Sequence, residues 1–155
     1  MSVTTKRADR PGGPVRICCR HPGTAWLSPL DRRELRAALT AMLAAASDCG
    51  APEPPVAVEL LLLDDARICR ANRRYMGCEG PTNVLSFPGG PDGPGALLLS
   101  LDALRRECLL YGQDAREHLL RLLSHGMGHL CGLDHGPDMD ALCARLLGAA
   151  VAALA

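Results

Sequence analysis

The sequence carries no net charge, no C-x-x-C cysteine pair and no apolar run long enough to cross a bilayer. Its 17 basic residues balance 17 acidic ones, which argues against a chain that grips nucleic acid by bulk positive charge. The longest apolar run, Leu146 to Ala155, falls far short of the roughly 20 residues a membrane span needs. The start, MSVTTKRADRPGG, is charged and rich in Pro and Gly, with no apolar stretch behind it to serve as a secretory signal. These absences point to a cytoplasmic protein without a membrane partner, and to residues 1–13 as a disordered N-terminal tail. Eight cysteines are present, at 18, 19, 49, 69, 78, 108, 131 and 143. Their irregular spacing and the ample aliphatic content speak against a disulfide framework, and the lack of a C-x-x-C pair speaks against a thiolate zinc site or a redox motif. Most of these thiols are expected to act as small core residues.

What is there is enough for one core. The 155 residues, 48% of them hydrophobic, suit a single domain over 14–155 that buries about two-thirds of the surface its unfolded chain would expose. Val15 to Cys19 alternates as a short strand does. Ser28-Pro29 reads as a helix start, followed by a stripe of Leu35, Ala38, Leu39, Met42, Leu43 and Ala46 that stops at Gly50. The nearly continuous apolar run Val56 to Leu63 fits a buried strand. Asp64 then caps a helix that reaches about Tyr75 and carries Arg67, Arg70, Arg73 and Arg74.

Val84 to Phe87 and Ala96 to Ser100 read as strands around a turn-rich stretch. Asp102 to Cys131 reads as two helices broken near Gly112, and Asp138 to Leu154 as a last helix after Pro137. Strands and helices interleave early and helices dominate late. The expectation is an α/β (α+β) fold, a small mixed sheet packed with about five helices.

The chemistry concentrates in HGMGHLCGLDH, residues 125–135. His125 and His129, four apart, stack on one face of a helix and can share one ion. Gly132 can take the left-handed conformation that stops the helix, so that His135 returns as a third ligand. Three protein ligands leave a position open for water, as a catalytic zinc requires and a closed structural site does not. Four of the five histidines lie between 118 and 135. One Zn2+ ion held by His125, His129 and His135 is the reading this spacing supports best, with a purely structural metal as the alternative.

The His-x3-His-x2-Gly-x2-His layout is the frame of the metzincin peptidases, with one difference. Those enzymes carry a glutamate as general base after the first histidine, and this chain has Gly126. Peptide hydrolysis by that route therefore lacks its base.

HGMGHLCGLDH resembles instead the motif of the YbeY family, bacterial rRNA maturation factors regarded as metal-dependent endoribonucleases. A second stretch, NRRYMGCEGPTNVLSFP from Asn72 to Pro88, is similar to that family's other signature, and the order of elements agrees from about Val15 onward. The resemblance implies a compact α/β metalloprotein with a metalloprotease-like zinc helix beside a small sheet, and His125, His129 and His135 as zinc ligands. It implies a single-strand endoribonuclease acting in 16S rRNA 3′-end maturation and in ribosome assembly and quality control. The partners implied are rRNA and the small ribosomal subunit, with ribosomal or GTPase assembly proteins as further candidates, and not DNA.

The chain departs from the family at Met76, where arginine is usual, and also at Cys78, Gly80, Ala96, Gly128 and Leu133. The departures keep two other readings open: a zinc-stabilised ribosome-assembly factor without nuclease activity, and a divergent metallopeptidase. The arginine cluster can compensate with phosphate contacts or can simply be a solvated helix face. Which residue acts as catalytic acid or base is left open. Ser86 and Thr82 can face the cleft or be satisfied by backbone groups. His118 can orient a ligand or rest partly buried, and Asp134 can accept an imidazole N–H or stabilise its loop.

Overall fold

The computed structural model describes residues 14–23, 27–90 and 93–155; the expected tail over 1–13 lies outside them. Four strands, β1 (Val15–Cys19), β2 (Val58–Leu63), β3 (Val84–Phe87) and β4 (Gly95–Ser100), form one sheet in the order β1-β2-β4-β3. β1, β2 and β4 run parallel, and β3 pairs antiparallel with β4 at the sheet edge, with Ser86 opposite Leu97. Among the described residues five helices accompany it: α1 (Arg32–Asp48), α2 (Asp65–Met76), α3 (Leu101–Tyr111), α4 (Ala115–Leu130) and α5 (Pro137–Leu154). The mixed sheet with five helices is the α/β (α+β) architecture that the pattern of the sequence implies.

Because side chains alternate across a strand, each strand feeds two layers. Val58, Leu60 and Leu62 of β2, with Leu97 and Leu99 of β4, face a large core filled by α1, α4 and α5. Leu63 and Leu85 face the other way, onto Ile68 and Ala71 of α2, with Leu61, Phe87 and Leu98 packed around them. Burial on both faces explains why Val58–Leu63 has no polar alternation.

Local chemistry sets the helix ends. The apolar stripe expected for α1 is its buried face, residue for residue. Its start differs from the Ser28-Pro29 expectation: Asp31 is the cap, its side chain accepting from the Glu34 backbone N–H while the Glu34 carboxylate accepts from the Asp31 N–H. This reciprocal pair satisfies two otherwise orphaned donors, whereas the Ser28 hydroxyl donates to the Leu30 carbonyl. Asp64 caps α2 by accepting from the Arg67 N–H, as its position suggested. Ser100 ends β4 and caps α3 as well, so strand passes into helix with no loop between them. Gly112, at φ 62°, closes α3 in the left-handed region.

The thiols follow expectation in part: Cys131 belongs to the large core, and Cys19, Cys49 and Cys108 pack against it. Only Cys131 is fully buried, Cys78 is exposed, and the rest are half-buried; all eight are free. No helix is long and apolar enough to cross a membrane among the described residues.

Candidate metal centre

Helix α4 presents two faces. Leu119, Leu123, Met127 and Leu130 enter the core, while His125 and His129 stay half-exposed on the opposite side. The helix stops as the sequence suggests. Gly132 adopts φ 85°, its N–H donates to the His129 carbonyl, and the Leu133 N–H donates to the Gly128 carbonyl. This paired closure at a left-handed glycine reverses the chain and brings His135 back over α4.

The three imidazoles converge. One nitrogen from each of His125, His129 and His135 lies within 4.8 Å of the others, a grouping able to hold a metal ion. The Nε2 atoms of His125 and His129 are 3.3 Å apart. Two nitrogens at zinc-ligand distance on a tetrahedral ion sit about 3.3 Å from one another, so this pair already has the separation such an ion requires. The Nδ1 of His129 lies 3.0 Å from the Leu133 carbonyl oxygen. A carbonyl only accepts, so Nδ1 carries the proton and Nε2 keeps its lone pair for a ligand bond. Asp134 was a candidate for this acceptor role; the Leu133 carbonyl takes it, and Asp134 instead lines the cleft. Burial, and then the neighbouring imidazoles of His129 and His135, hold His125 below the ordinary histidine range. A neutral imidazole is the form that binds metal.

Gly126 is more than a missing glutamate. A Cβ there would lie 2.8 Å from Leu97 Cδ2 and 3.3 Å from Ser86 Oγ, so the position faces the sheet and a side chain there would force Leu97 to shift. Gly128 faces the other way, where a Cβ would lie 3.0 Å from the Cys143 sulfur on α5. The Ser86 hydroxyl donates to the Gly126 carbonyl at 3.0 Å. It is thus satisfied by backbone and ties β3 to α4.

The histidines open into a cleft of about 590 Å³ whose other walls include Met76, Thr82, Asn83, Ser86 and Asp134. Met76, where a YbeY-like pattern has arginine, does face this space. His118 does not join the histidine group. Its Nε2 lies 2.7 Å from a Glu107 carboxylate oxygen, and the other Glu107 oxygen accepts from the Asn83 side-chain amide at 2.9 Å. Asn83 also accepts from the Val84 N–H, so α3 and α4 together brace the start of β3 beside the cleft. Glu107 went unnoticed in the sequence because nothing in its spacing links it to residues 83 and 118.

Asn72, the first residue of the second motif, is buried and donates to the Gly80 carbonyl at 3.0 Å, anchoring the loop that leads to Thr82. Of the arginines on α2, Arg67 pairs with Asp64, while Arg70, Arg73 and Arg74 are exposed.

Comparison with known proteins identifies the family. The family model Endoribonuclease YbeY matches residues 25–145. The Endoribonuclease YbeY of Nitratidesulfovibrio vulgaris is 41% identical over 139 residues, covering 76% of this chain and 83% of that protein. Its counterpart in Lawsonia intracellularis is 42% identical over 123 residues, covering 79% and 87%. The solution structure of TM1509 from Thermotoga maritima superposes with a TM-score of 0.61 at 19% identity over 89% of each chain, a likeness of fold.

Proposed function

Since the chain belongs to the YbeY family of endoribonucleases, we propose that it is an RNA-cleaving hydrolase that uses one zinc ion, held by His125, His129 and His135, to mature ribosomal RNA. The observation that carries this reading is the three-imidazole group opening into the cleft. When bound, the ion supplies positive charge that polarises a phosphate oxygen or the attacking water. The protein's own residues do the rest. The Leu133 carbonyl fixes the His129 tautomer, the Gly132 turn delivers His135, and Thr82 and Asn83 give the cleft polar walls beside the histidines. A donor set of three imidazoles suits zinc over harder cations such as magnesium, which prefer oxygen.

The substrate proposed is single-stranded rRNA at the 3′ end of the 16S precursor, met in the cytoplasm on the small ribosomal subunit. Membership of the family and the open cleft support this. Position 126 is glycine, and a side chain there would crowd Leu97 and Ser86, which leaves a metzincin-type peptidase without its base.

A test follows from the ligands. His129→Ala is expected to lose bound zinc and RNA cleavage together, and to fail to restore mature 16S rRNA ends in a strain that lacks the gene. Retained processing by a metal-free variant overturns the reading. A second reading has one observation in its favour: Met76 lines the cleft without charge, which would suit an assembly factor in which zinc serves structure. Purified, zinc-replete protein that cleaves no RNA would favour it.

A further inference from the structure

The chain has only four Phe, Trp and Tyr residues, and two of them, each next in sequence to a cleft-lining residue, meet one another. Tyr75 lies in the last turn of α2, directly before the cleft residue Met76. Phe87 lies between Ser86 and Pro88, which both line the cleft. The two rings meet edge to face, with centroids 5.5 Å apart and planes at 72°. Phe87 itself packs against the cluster of Leu63, Ile68, Ala71 and Leu85, so Tyr75 rests on a fixed support. The Arg74 guanidinium stands over the Tyr75 ring, 5.4 Å from its centroid. Even so, Tyr75 remains 61% exposed.

A tyrosine kept for core packing hides its ring; this one is held in place and left open. The same helix carries further exposed cationic side chains. Arg70, Arg73 and Arg74 fall at i, i+3 and i+4 on α2, hence on one face, and no carboxylate forms an ion pair with any of them among the described residues. An open aromatic ring with a guanidinium beside it, on a helix that carries more arginines, is how proteins hold single-stranded nucleic acid: bases stack on the ring whatever their sequence, and arginine meets the phosphates.

Resting on the endoribonuclease reading above, we propose that Tyr75 is the base-stacking platform for single-stranded RNA entering the cleft, with Arg70 and Arg73 meeting the adjoining phosphates. One nucleotide stacks on the open part of the ring beside Arg74. The strand then runs past Met76 toward the histidines. On this account the charge absent at Met76 is supplied within two helical turns before it on the same helix.

The test is binding of a short fluorescent single-stranded RNA to the zinc-loaded protein. Tyr75→Ala should weaken binding by about tenfold, whereas Tyr75→Phe and Tyr75→Trp, which keep the ring, should bind within about twofold of the parent protein. Arg73→Ala should weaken binding and flatten its dependence on salt by roughly one phosphate contact. An RNA series carrying one abasic nucleotide at successive positions should contain one position that weakens binding to the parent protein but not to Tyr75→Ala. Equal affinity for Tyr75→Ala and the parent overturns the platform, as does an equal loss in Tyr75→Phe. If the parent protein cleaves RNA and Tyr75→Ala binds as well as it does, the platform fails and the nuclease reading stands. If RNA binds through Tyr75 and is never cut, the platform stands and the nuclease reading fails.

Discussion

Gly126 and Leu97 fit so closely that a single added carbon on the glycine would lie 2.8 Å from the leucine Cδ2. Overfilling a packed contact of this kind costs about 1–3 kcal/mol. Gly126→Ala is therefore expected to lower the urea midpoint, with the slope of the transition unchanged. Gly126→Glu should be less stable again and should gain no peptidase activity on an unfolded substrate. An unchanged midpoint for the alanine variant would show that α4 can move away from the sheet.

The histidine group makes the metal-free protein sensitive to mild acid. His125 is held below the ordinary value of about 6.5, so the unfolded chain takes up a proton before the folded chain does. Stability from this group is complete above about pH 6.5 and is lost as pH falls through the folded value. Chelator-treated protein should show a denaturation midpoint that falls as the pH is lowered below about 6.5. His125→Gln should flatten that stretch of the profile, and a profile with the same slope would assign the effect to other groups.

Two thiols should differ sharply in reactivity. Burial first, then the neighbouring Cys49 and Cys143, push the Cys131 thiol up to about 11, while Cys78 is exposed. Since the thiolate is the reactive form, iodoacetamide at mildly alkaline pH should label Cys78 in the native protein and reach Cys131 only after unfolding. Peptide mass spectrometry reads both sites at once.

Asn72 links α2 to the loop beside the cleft through its bond to the Gly80 carbonyl. Asn72→Ala removes that donor and should cost about 1–3 kcal/mol. If the loop bears on substrate, KM for an RNA substrate should rise more than kcat falls. A loss confined to kcat would place the effect on the reacting groups instead.

Much of this was legible from residue patterns, because the decisive contacts are local. All three histidines lie within one helix turn and the loop after it, and Gly132 announces the reversal. The buried face of α1 and the cap at Asp64 follow from periodicity and side-chain chemistry in the same way. Ser28-Pro29 and Asp31 offer competing signals for the start of α1, and the Glu34 carboxylate, by closing on the Asp31 N–H, decides for the latter. The acceptor for His129 was sought among side chains, but a backbone carbonyl fills the role, and backbone carries no sequence signal. The brace of Asn83, Glu107 and His118 joins three elements, and the pairing of Tyr75 with Phe87 joins two. Such contacts arise only when the sheet and helices assemble.

The two glycines of α4 give the histidines a further property. With Gly126 seated against the sheet and Gly128 against α5, the helix backbone is gripped from both sides at the turn that carries His125 and His129. The imidazoles therefore take their positions from main-chain packing and would be held nearly in place before any ion arrives. Much of the entropy lost in gathering the donors is lost on folding, so binding has less ordering to oppose it. A site arranged this way discriminates by fit: an ion whose preferred geometry differs must deform a packed helix, not merely rotate side chains.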